Sequence, residues 1–191
     1  QKTNSRFIGR ADDVLFFHKL VTQRAVSSCL LLLLRAQLLL HRAHAGPQRH
    51  RARSAVVQAL YQWEMSGYSM TRVAAMFRAD NDLKRADTVF FHDALTVINK
   101  KYDELVDSFK PYLSREYGEL TPVERNILLL GAYELSLRID IPYKVVISEA
   151  VALSKKFGAT DGHKFVNGVL DQLASQTRSI EVQAHRSRER I

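Results

Sequence analysis

The sequence predicts an all-α fold of about seven helices, in two small bundles that share a core. Three observations carry this. Beyond Pro47, apolar residues recur at spacings of three and four. Prolines, a capping box and glycines stand where helices start and stop. No segment alternates apolar and polar residues over a useful length, and Asn167-Gly168 falls inside a helical pattern instead of between strand-like runs.

The first helix follows Gly46-Pro47. Its stripe is Ala52, Ala55, Val56, Ala59, Leu60 and Trp63, it ends before Gly67, and Arg49, His50, Arg51 and Arg53 lie opposite the stripe at its front. Met70 to Phe77 predicts a second, weaker helix. Phe90, Ala94, Val97, Ile98, Leu105 and Phe109 mark one long helix, capped by Asp87 or Thr88 and ended or kinked by Pro111. Thr121-Pro122-Val123-Glu124 is a capping box with proline at the first helical position, and Gly131 allows close packing further along that helix. Pro142 opens the next helix, with stripe Val146, Ala150, Leu153 and Phe157 and a C-cap at Gly158. Thr160 or Asp161 begins the last, with Val166, Val169, Leu170 and Leu173 inside.

Charge divides the chain differently from apolar pattern. The 191 residues carry a net charge of +8. Residues 1–53 hold 10 basic and 2 acidic side chains, and the remainder is balanced, so the whole excess precedes Ser54. A basic leader on a neutral body suits a polyanion, nucleic acid or membrane surface. Within the leader, the apolar run Cys29–Leu40 is broken by Arg35 and Gln37. It falls short of the roughly 20 apolar residues of a spanning helix and fits a secretory signal poorly. Residues 1–48 are open to three readings: a basic arm, a targeting leader, or sequence upstream of the native domain. The last is favoured, because a helix start appears abruptly at Gly46-Pro47; the segment is expected to be poorly ordered, with at most a helix near 28–41. Residues 49–176 form the helical domain, and 177–191 a charged tail.

The chemistry of an enzyme is missing from the pattern. The single cysteine, Cys29, excludes a disulfide framework and a multi-cysteine zinc site. There is no Gly-rich phosphate loop, His-Glu-x-x-His or nucleophile elbow. His163 reads as a surface or capping residue, and Asp103, Glu104 and Asp107 as a solvated helix face. The expectation is a binding protein with no cofactor, metal or catalytic residue.

Two stretches carry a family resemblance. One is Arg49-His50-Arg51-Ala52-Arg53-Ser54-Ala55-Val56-Val57-Gln58-Ala59-Leu60-Tyr61-Gln62-Trp63. The other runs from Val123-Glu124-Arg125 through Ala132-Tyr133-Glu134-Leu135 and Ile141-Pro142-Tyr143-Lys144 to Lys164-Phe165-Val166-Asn167-Gly168-Val169-Leu170-Asp171. Over residues 49–175 the chain resembles the bacterial NusB transcription antitermination factors. The resemblance implies an all-helical, cytoplasmic RNA-binding adaptor. It would pair with the ribosomal protein NusE, bind the boxA element of nascent RNA, and join RNA polymerase with the other Nus factors on ribosomal RNA operons. Oligomeric state stays open between monomer and homodimer.

Single-stranded RNA is read by stacking bases on aromatic rings beside a basic groove. That assigns Arg49, Arg51 and Arg53 to phosphates, Phe165 with Lys164 to a base, Tyr61 to a second base, and Gln58 and Asn167 to base edges. Each has a plainer alternative: a solvated face for the arginines, core positions for Phe165 and Tyr61. Asp161 is read as a helix cap that also tempers RNA affinity. For NusE the resemblance points to Tyr112, Glu119 and the segment between them, and to Glu124, for which capping is the competing role. Three other functions are weighed: the RNA-binding front end of a ribosomal RNA cytosine methyltransferase, a general helical adaptor, and a surface-bound protein using the 29–40 run.

Overall fold

The computed structural model describes residues 46–79, 83–159 and 161–188. The leader, with Cys29 and the helix expected near 28–41, lies outside the described residues, as does Thr160. No strand occurs among the described residues.

Residues 46–66 are helical (α1). Ala52, Ala55, Val56, Ala59 and Leu60 are buried along one face, with Trp63 at its edge. The helix stops at Gly67, whose φ of 66° is the left-handed conformation open to glycine and whose N–H returns to the Trp63 carbonyl at 3.3 Å. α2 (Met70–Ala79) buries Met70, Val73 and Phe77. α3 (Thr88–Lys100) is capped by Asp87, whose Oδ1 accepts from the Phe90 N–H at 2.9 Å.

The single long helix expected from Phe90 to Phe109 is two. Lys101 leaves helical geometry at φ −116°, and α4 (Tyr102–Phe109) follows directly. The hydrogen-bond ladder survives the bend, since Lys101 N–H donates to Val97 and Leu105 N–H to the Lys101 carbonyl. The bend sets Tyr102 against the Trp63 ring (5.7 Å, edge-on) and its hydroxyl 2.8 Å from that of Tyr117. A helical pattern continues through such a bend, so apolar spacing does not reveal it. Pro111 then sits in a short 3₁₀ turn, Lys110–Tyr112, and a second turn spans Tyr117–Glu119.

α5 (Pro122–Leu137) is the axis of the molecule. It is buried on every side from Asn126 to Leu135, as a helix surrounded by other helices must be. α6 (Tyr143–Phe157) and α7 (Gly162–Thr177) pack on it and on each other, and α3 and α4 pack on its other flanks. A side chain at Gly131 would place its Cβ 2.8 Å from the Leu170 methyls and push that side chain aside, so the glycine makes room for Leu170 between α5 and α7. Both ends of α5 are tied. At the start, Thr121 Oγ1 accepts from the Glu124 N–H at 3.3 Å while Glu124 Oε2 accepts from the Thr121 N–H at 2.9 Å, the reciprocal box read from sequence. At the end, buried Arg178 donates to the carbonyls of Leu135 at 2.6 Å, Arg138 at 2.8 Å and Glu134 at 3.1 Å.

Arg178 also opens an eighth helix. The expected charged tail contains α8 (Ser179–Arg188), which buries Val182 and places Glu181 Oε1 3.1 Å from the Tyr143 N–H. Its mean hydropathy is low, which is why the sequence shows so little of it. Residues from α1 through α8 contribute to one continuous apolar core.

His92 on α3 gives the fold a pH dependence. Burial, and secondly the Arg78 cation, hold its imidazole below the ordinary value of 6.5. The unfolded chain therefore takes up this proton first as pH falls, and stability is complete above about pH 6.5 and declines below it. The urea midpoint should drop between pH 7.5 and pH 5.5, and His92→Gln should show a smaller drop. Equal drops in both proteins would refute this role for His92.

Candidate nucleic-acid interface

The exposed residues of α1 define a line. Arg51, Gln58, Tyr61 and Met65 are all exposed. At about 100° per residue they fall within an arc of about 80°, and Arg51 lies about 15 Å along the axis from Tyr61. Arg51 has one described bond, a long 3.4 Å contact to the Arg85 carbonyl, which leaves its charge available. Gln58 uses its amide nitrogen on the Ser54 carbonyl at 3.1 Å. Tyr61 is 44% exposed.

Beside this line lies a groove of about 450 Å³ between α1, α2, α5 and α6, lined by Gln58, Tyr61, Phe77, Val123 and Phe157 among others. Lys156 lies next to it, its Nζ 3.0 Å from Ser54 Oγ and 4.8 Å from the centre of the Phe157 ring. Past the start of α5, Phe165 is half-buried against the core, and the Arg115 guanidinium lies 4.6 Å from its ring centre. Lys164 is exposed and pairs with Asp161 at 2.9 Å. Such an exposed pair is weak and is readily exchanged for a phosphate.

The remaining predicted residues are committed to the protein. Arg53 is a correction: it is only 3% exposed, and its Nε and Nη2 each donate to the Glu134 carboxylate at 2.8 Å. Its place on α1 puts it between the apolar face and the start of the polar one, and α5 offers a buried acid there. Arg49 is intermediate. Its Nε donates to Asp87 Oδ2 at 2.8 Å and its guanidinium lies 4.8 Å from the Phe90 ring centre, leaving a quarter of the side chain exposed. His50 Nδ1 lies 2.7 Å from Glu149 Oε2, which also faces Arg53 Nη1 at 3.6 Å. Asn167 gives its amide to Asp171 at 2.8 Å.

Two further corrections concern carboxylates. Asp161 precedes α7 but its side chain caps nothing; it is turned to Lys164. Glu124, expected to meet a partner protein, is 5% exposed with both oxygens used. Oε2 closes the capping box and Oε1 accepts from Arg115 Nη2 at 2.6 Å. Of the other two partner candidates, Glu119 is exposed and accepts from the Glu116 N–H at 3.1 Å, in a cleft with Lys110 and Leu113. Tyr112 lines a different cavity, shared with Tyr143, Asp171 and Arg186.

Around the buried pair, the Arg53 and Arg138 guanidinium carbons both lie 5.6 Å from the centre of the Phe90 ring. The hydrogen bonds from Arg138 hold the Asp140 carboxyl below its usual range. Burial and the bond to Asp93 push the Tyr133 phenol up, so it stays protonated. Among the described residues no cluster of three or more His, Cys, Asp or Glu could hold a metal ion, and no helix is long and apolar enough to cross a membrane.

Comparison with known proteins matches residues 50–175 to the model of the NusB family. The chain belongs to the NusB family. A Pseudomonas entomophila protein named transcription antitermination protein NusB is 48% identical over 139 residues, 73% of this chain and 84% of its own length. The protein of that name from Hahella chejuensis is 45% identical over 146 residues, 76% of this chain and 98% of its own. Among solved structures, T. maritima NusB superposes with a TM-score of 0.58 at 32% identity, covering 66% of this chain and 90% of that one. A NusB in a crystal structure described as NusB and NusE in complex with dsRNA gives 0.60 at 26% identity, covering 66% and 96%. The NusB match takes in the α1 line, Phe165 and the capping box, while Arg49 falls just before it and Arg178 and α8 after it.

Arg115, Lys156 and Phe157 join the candidate site only in the structure. Lys155-Lys156-Phe157 was legible as a basic pair beside an aromatic at a helix end. Arg115 had no local signal, because its neighbours at the site come from α5 and α7.

Arg53→Met should lower unfolding free energy by about 3–5 kcal/mol by leaving Glu134 buried and unpaired. Adding Glu134→Leu should restore much of it, as read by urea denaturation. A single variant within about 1 kcal/mol of wild type would show the pair to be dispensable.

Proposed function

We propose that the protein is a transcription antitermination factor. It binds boxA-type single-stranded RNA together with the ribosomal protein NusE and joins transcribing RNA polymerase in the cytoplasm, supporting ribosomal RNA transcription without a catalytic step. The observation that carries the RNA reading is the groove lined by Gln58, Tyr61 and Phe157, with exposed Arg51 on the same arc of α1 and Lys156 over the Phe157 ring. Aromatic edges for bases and cations for phosphates, side by side, suit an unpaired strand. A duplex hides its base faces, and its narrow major groove admits no side chain. The names of the relatives support the antitermination role, and the solved complex of NusB and NusE with dsRNA supports binding of RNA and NusE, leaving the preference for an unpaired strand to the groove chemistry.

For NusE we place contact on Tyr112 and on the exposed side of the Tyr117–Glu119 turn, without Glu124. Acidic Glu116 and Glu119 there suit a basic ribosomal protein.

Fluorescence anisotropy with boxA RNA, its scrambled sequence and a boxA duplex, each with and without NusE, tests the proposal. Preference for single-stranded boxA, enhancement by NusE and a steep loss of affinity with salt are expected. Asp161→Asn should tighten binding severalfold, because it removes a negative charge from the track and frees Lys164. Equal weak binding to all three RNAs, with no response to NusE, would refute the function. Unchanged or weaker binding by the Asp161 variant would remove that residue from the track.

A further inference from the structure

We infer that Arg115 is the stacking surface for an RNA base at the start of α7, and that Phe165 acts beneath it as its support. This rests on the RNA reading above and changes which side chain meets the base. Three geometric facts lead there. The guanidinium carbon of Arg115 is 4.6 Å from the centre of the Phe165 ring, so a face of that ring is already covered. One edge of the guanidinium is held by Glu124 Oε1 at 2.6 Å, and Glu124 is itself buried and fixed by the capping box. Even so, the Arg115 side chain remains 38% exposed.

A guanidinium is planar, and a base stacks on it as it does on an aromatic ring. Ordinarily an arginine gives up rotamer freedom to do so. Here the ring and the carboxylate have already fixed the plane, so that cost is borne by the fold instead of by binding. Half-buried Phe165 packs against the core on one side and carries Arg115 on another, which leaves it poorly placed to take a base directly.

The test is a double-mutant cycle between protein and RNA. Arg115→Lys keeps the charge and the reach to Glu124 but removes the plane. It should weaken boxA binding about tenfold, the order of one lost stacked base, while leaving the salt dependence unchanged. Single abasic substitutions are then scanned through boxA. One position should cost the wild-type protein affinity and cost the Arg115→Lys variant almost nothing, which locates the base on Arg115. A far-ultraviolet melt of the variant checks that the fold is intact, and Arg115→Gln, which keeps a planar group, should recover part of the loss.

Affinity unchanged in Arg115→Lys, or an abasic penalty equal in both proteins, would overturn the inference. Tighter binding by the lysine variant would do so too, by showing Arg115 to be a cover that a base must displace from Phe165. A wild-type protein with no preference for boxA over scrambled RNA would instead remove the RNA reading itself.

Discussion

The bidentate pair between Arg53 of α1 and Glu134 of α5 is the constraint on which the arrangement depends. Both side chains are almost wholly removed from water, so neither charge is tolerable without the other. Together with the apolar stripe of Ala52, Val56, Ala59 and Leu60, the pair fixes the rotation of α1 about its own axis. With Arg53 turned inward to α5, the arc carrying Arg51, Gln58 and Tyr61 must face outward. A scaffold interaction thereby sets which residues of the first helix can reach a ligand.

The same economy appears at both ends of α5. Glu124 closes the capping box with one oxygen and holds Arg115 with the other, so the start of the central helix and the position of Arg115 over Phe165 share one carboxylate. At the far end, the Arg178 guanidinium takes up carbonyls that the last turn of a helix leaves without partners. The start is thus capped from within the capping box, and the end by a charged side chain from the junction of α7 and α8.

Basic residues near the start of the domain therefore differ in what they serve. Arg53 holds the fold, Arg49 divides itself between Asp87 and solvent, and Arg51 reaches outward. A count of positive charge treats the three alike. The difference arises from where α5 and the α3 cap present carboxylates, and that is a property of packing.

The sequence by itself determined the helical class, the capping box at Thr121, the stop at Gly67, the burial face of α1 and the family resemblance. Each of these is written in contacts within a few residues or in a period that the chain must obey locally. Only the tertiary structure decided that the long third helix bends at Lys101, that the tail carries α8 around Arg178, that Arg53 pairs with Glu134, and that Arg115 lies between Glu124 and Phe165. Arg53 and Glu134 are 81 residues apart and Arg115 reaches Glu124 across a turn and a helix start. Such pairings depend on which surfaces helices bring together, and residue type alone leaves a buried anchor and a solvent-facing ligand contact indistinguishable.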